Sequence, residues 1–457
     1  MSAVLERVFD IAERSKWQIK ALGDVCRTSS GGTPSRSRPD YFNGNIPWVK
    51  SGELTDGLVS EVSEFISEEA LAGSSAKLLP AGTLLIAMYG ATVGKLGVLA
   101  RAAATNQAVC AIFPPPELDP KFLFWYLRRQ RFNLIAKAVG GAQPNISQTI
   151  LRDLELPIPP LSEQREIVAE LEKQFSRLDE AVANLQRVKA NLKRYKASLL
   201  KSAVEGRLVE TEASIAHREG RSYETGDQLL QRILEERRAK WTGRGAFVAQ
   251  APSFDEPTLI PDGWAVGSLD QLSNVVRGGS PRPAGDPRYF GGPVPWITVG
   301  SVTCDESDYL RQASSGLTEE GKERSRFIEE HTLLLTNSGA TLGVPKISLI
   351  SGCINDGVAA LLDVEYPLKQ YLVHFLRTKT DSLRQVNQGA AQPNLNTTII
   401  KAMPVPLPPL AEQPRILAEV DRHLSIIREV EAEVDNNLKR AQALRQVKLA
   451  EAFSSRQ

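Results

Sequence analysis

Cysteine and histidine are scarce in this chain of 457 residues, which contains four of each. The four cysteines are scattered without a close pair, so neither disulfides nor a zinc site is expected. The histidines show no spacing typical of metal ligands either. The cysteine usage fits a reducing compartment, and we expect the protein in the cytoplasm.

The chain also lacks a large net charge and a long apolar run. It has 55 Lys+Arg against 54 Asp+Glu, a formal charge of +1. Any surface for nucleic acid must therefore come from local placement of charge. No run approaches the roughly 18 apolar residues of a membrane span, and the charged first ten residues do not resemble a signal peptide. We expect no membrane contact.

Catalytic motifs are missing as well. The stretch from Gly90 to Leu96 superficially resembles a phosphate-binding loop. It has one residue too few between its glycines, and Leu96 stands where Ser or Thr would be needed. The chain contains no Asn-Pro-Pro-aromatic motif of an amino-methyltransferase, and no arrangement singles out a nucleophile with its base. The chain is therefore predicted to be non-catalytic, without a cofactor of its own.

What the chain does contain is an internal repeat. Trp17 recurs as Trp264, 247 residues later, and the offset drifts by only two residues along the copy. Chance does not explain such order, so the chain is two copies of one module. The other matching segments are Gly31-Gly32-Thr33-Pro34 with Gly278-Gly279-Ser280-Pro281, Tyr41-Phe42 with Tyr289-Phe290, Ile46-Pro47-Trp48 with Val294-Pro295-Trp296, Gly90-Ala91-Thr92 with Gly339-Ala340-Thr341, Asn106 with Asn355, Gln143-Pro144-Asn145 with Gln392-Pro393-Asn394, and the proline-rich stretches 156–161 with 405–410.

Each copy has a mixed first part and a strongly helical second part. In the first copy, residues 83–88 and 108–113 predict buried strands, and 121–139 predict a helix. From Ile167 and again from Ile416, apolar residues recur at steps of three and four, the spacing of a coiled-coil helix. With Ser162 as N-cap, a helix ending at Ala203 would be roughly 60 Å long.

The expected fold class is α+β, with two mixed α/β domains in tandem, each followed by a long helix. One such helix cannot bury its apolar stripe alone, so we expect the two helices to pair as a coiled coil. Antiparallel pairing with pseudo-two-fold symmetry is favoured over parallel pairing. The predicted segments are a helical lead-in (1–16), the first domain (17–160), the first long helix (161–205), a connecting segment with a helix at 227–240 (206–263), the second domain (264–409) and the second long helix (410–457).

These features resemble the specificity subunit of type I restriction–modification enzymes over nearly the whole chain. Three motifs carry the resemblance. They are the duplicated Gly-Gly-Thr/Ser-Pro turn with its Tyr-Phe and (Ile/Val)-Pro-Trp, the stretches Pro160-Leu161-Ser162-Glu163-Gln164 and Pro409-Leu410-Ala411-Glu412-Gln413 at the helix starts, and the stretch Ala203-Val204-Glu205-Gly206-Arg207-Leu208, of which the second copy keeps only Ala452-Phe453.

The resemblance implies two target-recognition domains, each reading one half of a split, asymmetric site in double-stranded DNA. The paired helices would set the unread spacer and help dock partner subunits. The implied partners are two methylation subunits, which use S-adenosylmethionine to methylate adenine, and restriction subunits, which hydrolyse ATP and cut. S-adenosylmethionine, ATP and Mg would thus belong to partners. The alternatives are a coiled-coil adaptor and the recognition part of a single-chain restriction–modification enzyme.

The repeat also sorts the residues that could read DNA. Positions identical in both copies favour scaffold roles, because the two halves would read different sequences. The paired tryptophans and tyrosines are thus predicted core, the glycines backbone turns, and Asn145 and Asn394 turn-closing residues. Polar residues in the loops are the candidates for DNA contact, with solvated loop charge as the alternative. Gln143 and Gln392 are identical in both copies, and for them a scaffold role and a bidentate contact with adenine stay equally open. The candidates are Thr33, Ser35, Arg36, Arg38, Lys50, Tyr89, Lys95 and Gln143 in the first copy, and Ser280, Arg282, Arg288, Thr298, Asn337, Ser338, Lys346 and Gln392 in the second.

Overall fold

The computed structural model describes residues 17–138, 145–253, 259–386 and 395–453. By their internal contacts the residues form two compact units. Unit 1 is Met1–Gln186 with Asp435–Gln457, and unit 2 is Arg187–Val434. Each unit contains one copy of the repeat and parts of both long helices. The predicted lead-in helix at 1–16 and the candidates Gln143 and Gln392 lie outside the described residues.

The first copy alternates short strands and helices, and ends in the first long helix. Its elements are β1 (Gln18–Ala21), α1 (Leu22–Val25), β2 (Arg27–Ser30), a 3-10 helix (Pro39–Phe42), β3 (Ile46–Val49), a second 3-10 helix (Ser51–Glu53), β4 (Gly57–Val59), β5 (Phe65–Ile66), α2 (Glu68–Ala72), β6 (Leu84–Ala87), β7 (Leu96–Leu99), β8 (Ala104–Thr105), β9 (Val109–Phe113), α3 (Pro120–Ala136), α4 (Gln148–Arg152), β10 (Glu155–Ile158) and α5 (Leu161–Val204).

A sheet in the order β2-β9-β6-β7-β4 forms the centre of this copy, and a smaller sheet in the order β5-β3-β8 lies beside it. Successive residues of β6 point to opposite faces. Leu84 and Ile86 join the core beneath helix α3, while Leu85 and Ala87 join the core on the other face. Because both faces are covered, the strand is apolar throughout. This explains why residues 83–88 predicted a buried strand, as confirmed here.

The second copy repeats this plan. Its elements, with those of the connecting segment, are α6 (Glu212–Glu219), α7 (Gly226–Ala239), β11 (Ala265–Ser268), α8 (Leu269–Leu272), β12 (Asn274–Arg277), β13 (Phe290–Ile297), α9 (Val299–Val302), β14 (Tyr309–Leu310), β15 (Ser315–Leu317), α10 (Glu319–Glu323), β16 (Arg326–Ile328), β17 (Leu333–Thr336), β18 (Pro345–Ser348), β19 (Gly352–Ile354), β20 (Val358–Leu362), α11 (Leu368–Val386), α12 (Thr397–Lys401), β21 (Pro404–Leu407) and α13 (Gln413–Ala452). Its central sheet has the equivalent order β12-β20-β17-β18-β14.

The glutamine of each Glu-Gln motif joins a long helix to its own domain. Gln164 is fully buried. Its Nε2 donates to the carbonyls of Pro159 (2.8 Å) and Glu117 (3.0 Å), and its Oε1 accepts from the backbone of Asp119 (2.8 Å). Gln413 donates in the same way to Pro408 at 3.0 Å. The motif that carried the family resemblance therefore has a structural role at the helix starts.

The long helices α5 and α13 contain 44 and 40 residues. In unit 2, Tyr195 of α5 hydrogen-bonds His423 of α13 at 2.9 Å, and Leu199 of α5 shares a core with Ile416 of α13. The partner number falls as the chain advances, so the helices run antiparallel. In unit 1 the other halves of the helices meet, and Arg445 pairs with Asp179 at 3.0 Å. The antiparallel pairing expected from the sequence is confirmed.

The apolar stripe is buried mainly where each helix end meets its domain. Leu171 and Phe175 in unit 1, and Leu199 and Leu200 in unit 2, are 3–5% exposed. Between them Val188 and Tyr195 are 39% and 47% exposed. Helix α5 begins at Leu161, so the prediction of Ser162 as its N-cap is wrong. The Gln164 amide donates to the carbonyl of Pro160, which places the first turn two residues earlier than predicted.

Helices α6 and α7 of the connecting segment pack within unit 2. Leu229 and Leu230 of α7 are buried in the core of the second copy. Glu212 of α6 is 1% exposed and pairs with Arg221 (2.6 Å) and Arg415. The sequence predicted α7 but not α6. In the part of the chain that the structure describes, no helix is long and apolar enough to span a membrane.

Candidate nucleic-acid interface

The first glycine turn of each copy (residues 31–34 and 278–281) lies against the small sheet. Gly31 donates to Val109 at 3.0 Å, and Gly32 to Thr105 at 2.8 Å. A Cβ on Gly31 would lie 2.3 Å from the carbonyl oxygens of Thr105 and Asn106, and one on Gly278 would lie 2.1 Å from that of Asn355. Since real Cβ contacts are not that short, this close approach requires glycine.

The paired aromatic residues form the support beneath the turn, as the repeat predicted. Trp48 is 2% exposed and Trp296 7%. The Trp48 indole donates to the carbonyl of Gly32 at 3.0 Å, and its ring makes an edge contact with Phe42. Tyr289 is buried, whereas Tyr41 is half-buried. The turn is therefore fixed from below, and its side chains face outward: Thr33 and Ser35 are exposed, with Ser35 2.8 Å from Ser37.

In the first copy, two candidate cations meet on one carboxylate that sequence reasoning missed. Nη2 of Arg36 lies 2.8 Å from Glu64, and Nζ of Lys50 lies 2.8 Å from the other oxygen of Glu64. The Arg36 guanidinium also stacks over Phe42, 4.2 Å from the ring centroid. Lys50, with Arg36 as a weaker contributor, holds the pKa of the Glu64 carboxyl below its usual range.

In the second copy, different polar side chains surround the first glycine turn. Ser280 donates to Asp356 at 2.5 Å, and Arg282 lies 3.8 Å from the other oxygen of that carboxylate. Arg282 is 72% exposed. Thr298, which replaces Lys50, accepts from the backbone of Ser301 and caps α9. This turn therefore presents one loosely held cation where the first copy presents two fixed cations, with a hydroxyl at Thr298 in the place of Lys50.

Arg38 and Arg288 belong to equivalent ion pairs, one in each copy, in which the arginine and the aspartate have exchanged positions. The first copy has Arg38-Pro39-Asp40-Tyr41 and the second has Asp286-Pro287-Arg288-Tyr289. Each arginine binds the carboxylate two residues away and stacks on the tyrosine, 4.6 Å and 5.3 Å from its ring. The two copies preserve the ion pair while exchanging its ends. That pattern supports a role in holding the turn for both arginines.

The second glycine turn (residues 90–94 and 339–343) follows the residues that contact Asn145 in the first copy and Leu395 in the second. All four predicted turn glycines have positive φ: 87° and 75° at Gly90 and Gly94, and 79° and 81° at Gly339 and Gly343. Half-buried Tyr89 forms a β-bridge with Asn145, two residues after Gln143. Thr92 donates to the carbonyl of Ser51 at 2.8 Å, next to Lys50. The two turns and Lys50 thus belong to one cluster of loops.

The corresponding turn of the second copy places its two candidates differently. Ser338 is half-buried, and its hydroxyl lies 2.6 Å from where a Cβ on Gly357 would be. Asn337 is fully buried, and neither polar atom of its amide has a hydrogen-bond partner among the described residues. Its backbone binds Gly357 and Leu395, the latter three residues after Gln392. In this structure Ser338 lies toward the loop surface and Asn337 beneath it.

Lys95 and Lys346, matched in the sequence as near equivalents, occupy different places. Lys95 is half-buried in the loop before β7. In the strand register, Leu334 faces Lys346 as Leu85 faces Gly97. The equivalent of Lys346 is therefore Gly97, which corrects the matching. Lys346 is fully buried in β18, and its ammonium contacts Asp305 at 2.5 Å. Its side chain does not reach the loop surface.

We expect Lys346→Met to leave DNA recognition unchanged. Methionine fills a similar volume, and Asp305, 56% exposed, regains water when its partner is removed. The stability of unit 2 should change by less than about 1.5 kcal/mol. Thermal melting and the salt dependence of DNA binding would check this. A loss of affinity with a shallower salt slope would place the lysine on DNA after all.

Relatives of known class agree with these features. A family model described as the type I restriction modification DNA specificity domain matches residues 14–193 and 261–440. The specificity subunit of Escherichia coli EcoR124I/EcoR124II is 31% identical over 160 residues, 34% of this chain and 40% of that protein. The E. coli EcoBI specificity subunit is 26% identical over 365 residues, 77% of this chain and 69% of that protein.

A solved structure has the same fold. It is described as the structural basis of complex assembly and conformational transition of the type I R-M system. One of its chains has a TM-score of 0.64 at 19% identity, covering 96% of this chain and 98% of that chain. The family model matches both copies and most of the sequence. The chain therefore belongs to the family of type I restriction–modification DNA specificity domains.

Proposed function

We propose that this protein directs a type I restriction–modification complex to a bipartite, asymmetric DNA sequence, with each copy of the repeat reading one half. Members of its family are non-catalytic DNA-recognition subunits. Within this proposal, residues 17–160 and 264–409 are the two recognition domains. The paired helices set the length of the unread spacer between the half-sites.

The observation that carries the proposal is the contrast between scaffold and loops. The two copies share sheet order, turn glycines and supporting tryptophans, yet their first glycine turns present different polar groups. The first copy presents Arg36 and Lys50 around this turn, whereas the second presents Arg282 and has Thr298 in the place of Lys50. Arginine and lysine grip guanine, whereas hydroxyl groups address several base edges. One scaffold with two sets of reading groups suits a target with two different halves.

The proposed reading set is narrower than the sequence suggested. It keeps the exposed or half-exposed polar residues around the two glycine turns, with Gln143 and Gln392 as predictions still open. Arg38 and Arg288 are assigned to holding the turns, and Asn337 and Lys346 to the interior. The proposed reading residues are Thr33, Ser35, Arg36, Lys50, Tyr89 and Lys95 in the first copy and Ser280, Arg282, Thr298 and Ser338 in the second.

The chemistry would come from partner subunits. We propose two methylation subunits that bind S-adenosylmethionine and restriction subunits that use ATP and Mg. The half-exposed stretch of the long helices around Val188 and Tyr195 is a candidate surface for docking them. With a net charge of +1, the isolated chain offers little general attraction for phosphates. Tight DNA binding is therefore expected only when partners supply further phosphate contacts.

Mapping of methylated adenines tests the proposal. In cells that express this chain with its methylation subunits, methylation should fall on one bipartite motif, and it should disappear when this chain is omitted. The isolated chain should not methylate DNA when S-adenosylmethionine is supplied. Methylation at a continuous motif, or at the same sites without this chain, would contradict the assignment.

A further inference from the structure

Resting on the proposed function, we propose that Glu64 is a specificity-determining positioning residue: its carboxylate fixes Arg36 and Lys50 in the geometry that reads the first half-site. Asp356 has the equivalent role beside the first glycine turn of the second copy. Neither carboxylate belongs to the repeated motifs. Each lies at a place where the other copy has an uncharged residue, Ser315 opposite Glu64 and Gln107 opposite Asp356.

Glu64 binds both cations at once, one oxygen to each. Nη2 of Arg36 and Nζ of Lys50 both lie 2.8 Å from the carboxylate. The exposed fractions of the side chains are 56% for Arg36, 32% for Lys50 and 28% for Glu64. The carboxylate is therefore the innermost group of the three, and the cations project further toward solvent. A long flexible side chain loses entropy when it is ordered, and this arrangement orders two such chains before DNA arrives.

Arg36 keeps its reading edge free in this geometry. Phe42 covers one face of the guanidinium at 4.2 Å, and Trp48 lies 5.2 Å away. Glu64 engages Nη2, and a guanidinium has five N–H donors. The remaining donors are sufficient for a bidentate contact with guanine O6 and N7. The stack and the ion pair together leave one defined direction for that contact.

Lys50 is fixed through its backbone as well as its side chain. Its amide donates to Glu53 at 2.8 Å, and the other oxygen of Glu53 accepts from the amide and hydroxyl of Ser63 at 2.7 Å. Ser63 directly precedes Glu64. The Glu53 carboxylate thus links the backbone of Lys50 to the backbone beside Glu64. The Glu64 carboxylate links the side chains of Lys50 and Arg36. This double connection makes the group a preformed unit rather than a chance surface contact.

Residues of the second copy hold Asp356 in a similar manner. Its carboxylate accepts from Ser280 at 2.5 Å, and its carbonyl accepts from Arg277 at 2.8 Å. Arg282, 3.8 Å from the carboxylate, is restrained but not tightly bound. The second copy therefore fixes a serine firmly and an arginine loosely. Because Thr298 replaces Lys50, we infer that the second half-site is read with a hydroxyl at the position where the first copy uses the Lys50 cation.

Both carboxylates also limit indiscriminate binding. An unpaired lysine or arginine in a loop attracts any phosphate, since that contact carries no sequence information. A carboxylate between the cations repels phosphate and permits only approaches that satisfy the free donors. The group thereby lowers the affinity for DNA of any sequence and raises the discrimination between bases.

The test uses the complex of this chain with its methylation subunits and duplexes that carry the mapped site or single changes in either half. Glu64→Gln should lower discrimination in the first half-site by roughly tenfold and leave the second half-site unchanged. Binding to unrelated DNA should tighten, with a steeper dependence on salt. Asp356→Asn should give the mirrored result, with a smaller effect because Arg282 is held less tightly.

Glu61→Gln is the matched control, because it removes the same charge from an exposed residue three positions from Glu64. It should leave discrimination unchanged. Glu64→Asp keeps the charge with a shorter reach and should restore part of the discrimination. Unchanged discrimination in a folded Glu64→Gln complex would overturn the inference, as would an equal effect of Glu61→Gln. If the wild-type complex does not methylate a bipartite site, the proposed function itself has failed.

Discussion

Gly31→Ala should destabilise unit 1 by about 3 kcal/mol, through overpacking and a lost hydrogen bond together. The new Cβ would lie 2.3 Å from two carbonyl oxygens, those of Thr105 and Asn106, which belong to backbone that cannot rotate aside. Relief requires the turn to move away from β8 and the loop after it. That movement pulls Gly32 from Trp48, whose indole donates to its carbonyl at 3.0 Å, and leaves a buried N–H without a partner.

Gly52→Ala is the matched control in the same copy, because a Cβ there meets nothing within 4 Å. Gly279→Ala serves the second copy, since its nearest neighbours lie 4.0 Å away, whereas Gly278→Ala should repeat the loss seen at Gly31. Thermal melting of the four variants, with methylation of half-site variants as a second readout, separates the cases. Equal stability of Gly31→Ala and Gly52→Ala would show that the turn is not held by this close approach.

Local patterns in the sequence predicted several elements of the scaffold, although they missed α6 and misplaced the start of α5. The apolar runs at 83–88 and 108–113 became β6 and β9, and the stretch 121–139 became α3, because burial on both faces or on one helical stripe shapes composition directly. The turn glycines could be identified because positive φ excludes most other residues at such positions. Comparison of the two copies added the assignment of the tryptophans to the core.

Pairings between distant residues could not be obtained in this way. Glu64 is 14 residues from Lys50, and Asp356 is 76 residues from Ser280, so no local pattern marks either contact. Lys346 was matched to Lys95 because the two lie near the same shared glycines. The strand register moves the match by two residues, from a loop into a buried strand. Such a displacement depends on the tertiary fold, which a one-dimensional comparison of repeats does not contain.

Exchange of residues 17–160 for the corresponding stretch of a relative with a different mapped target should change one half-site completely. The second half-site and the spacer length should stay as they were. The two ends of this stretch are adjacent, since β1 pairs antiparallel with β10 and Gln18 faces Ile158. The two ends of the domain therefore lie side by side. Both junctions of a grafted domain fall at the same place on the rest of the chain.

The contacts across that attachment favour transfer. Gln164 remains in the recipient chain and binds the domain through the backbone of Pro159, Glu117 and Asp119, atoms that any donor supplies. Side chains of α3 also contact residues that remain in the recipient. Trp125 packs on Phe175 at 4.9 Å, and Phe122 lies 5.2 Å from Phe453. A donor that keeps large apolar residues at these two positions should preserve the stability of unit 1.

The reciprocal exchange of residues 264–409 is the matched control and should alter only the other half-site. Methylation mapping of both hybrids reads out half-sites and spacer in one experiment. The prediction follows from the proposal that reading groups and scaffold are separate within each copy. The proposed reading group of Arg36, Lys50 and Glu64 moves with the graft, and the helices proposed to set the spacer remain in the recipient. A hybrid in which both half-sites change, or the spacer changes, would mean that the two copies do not read DNA independently.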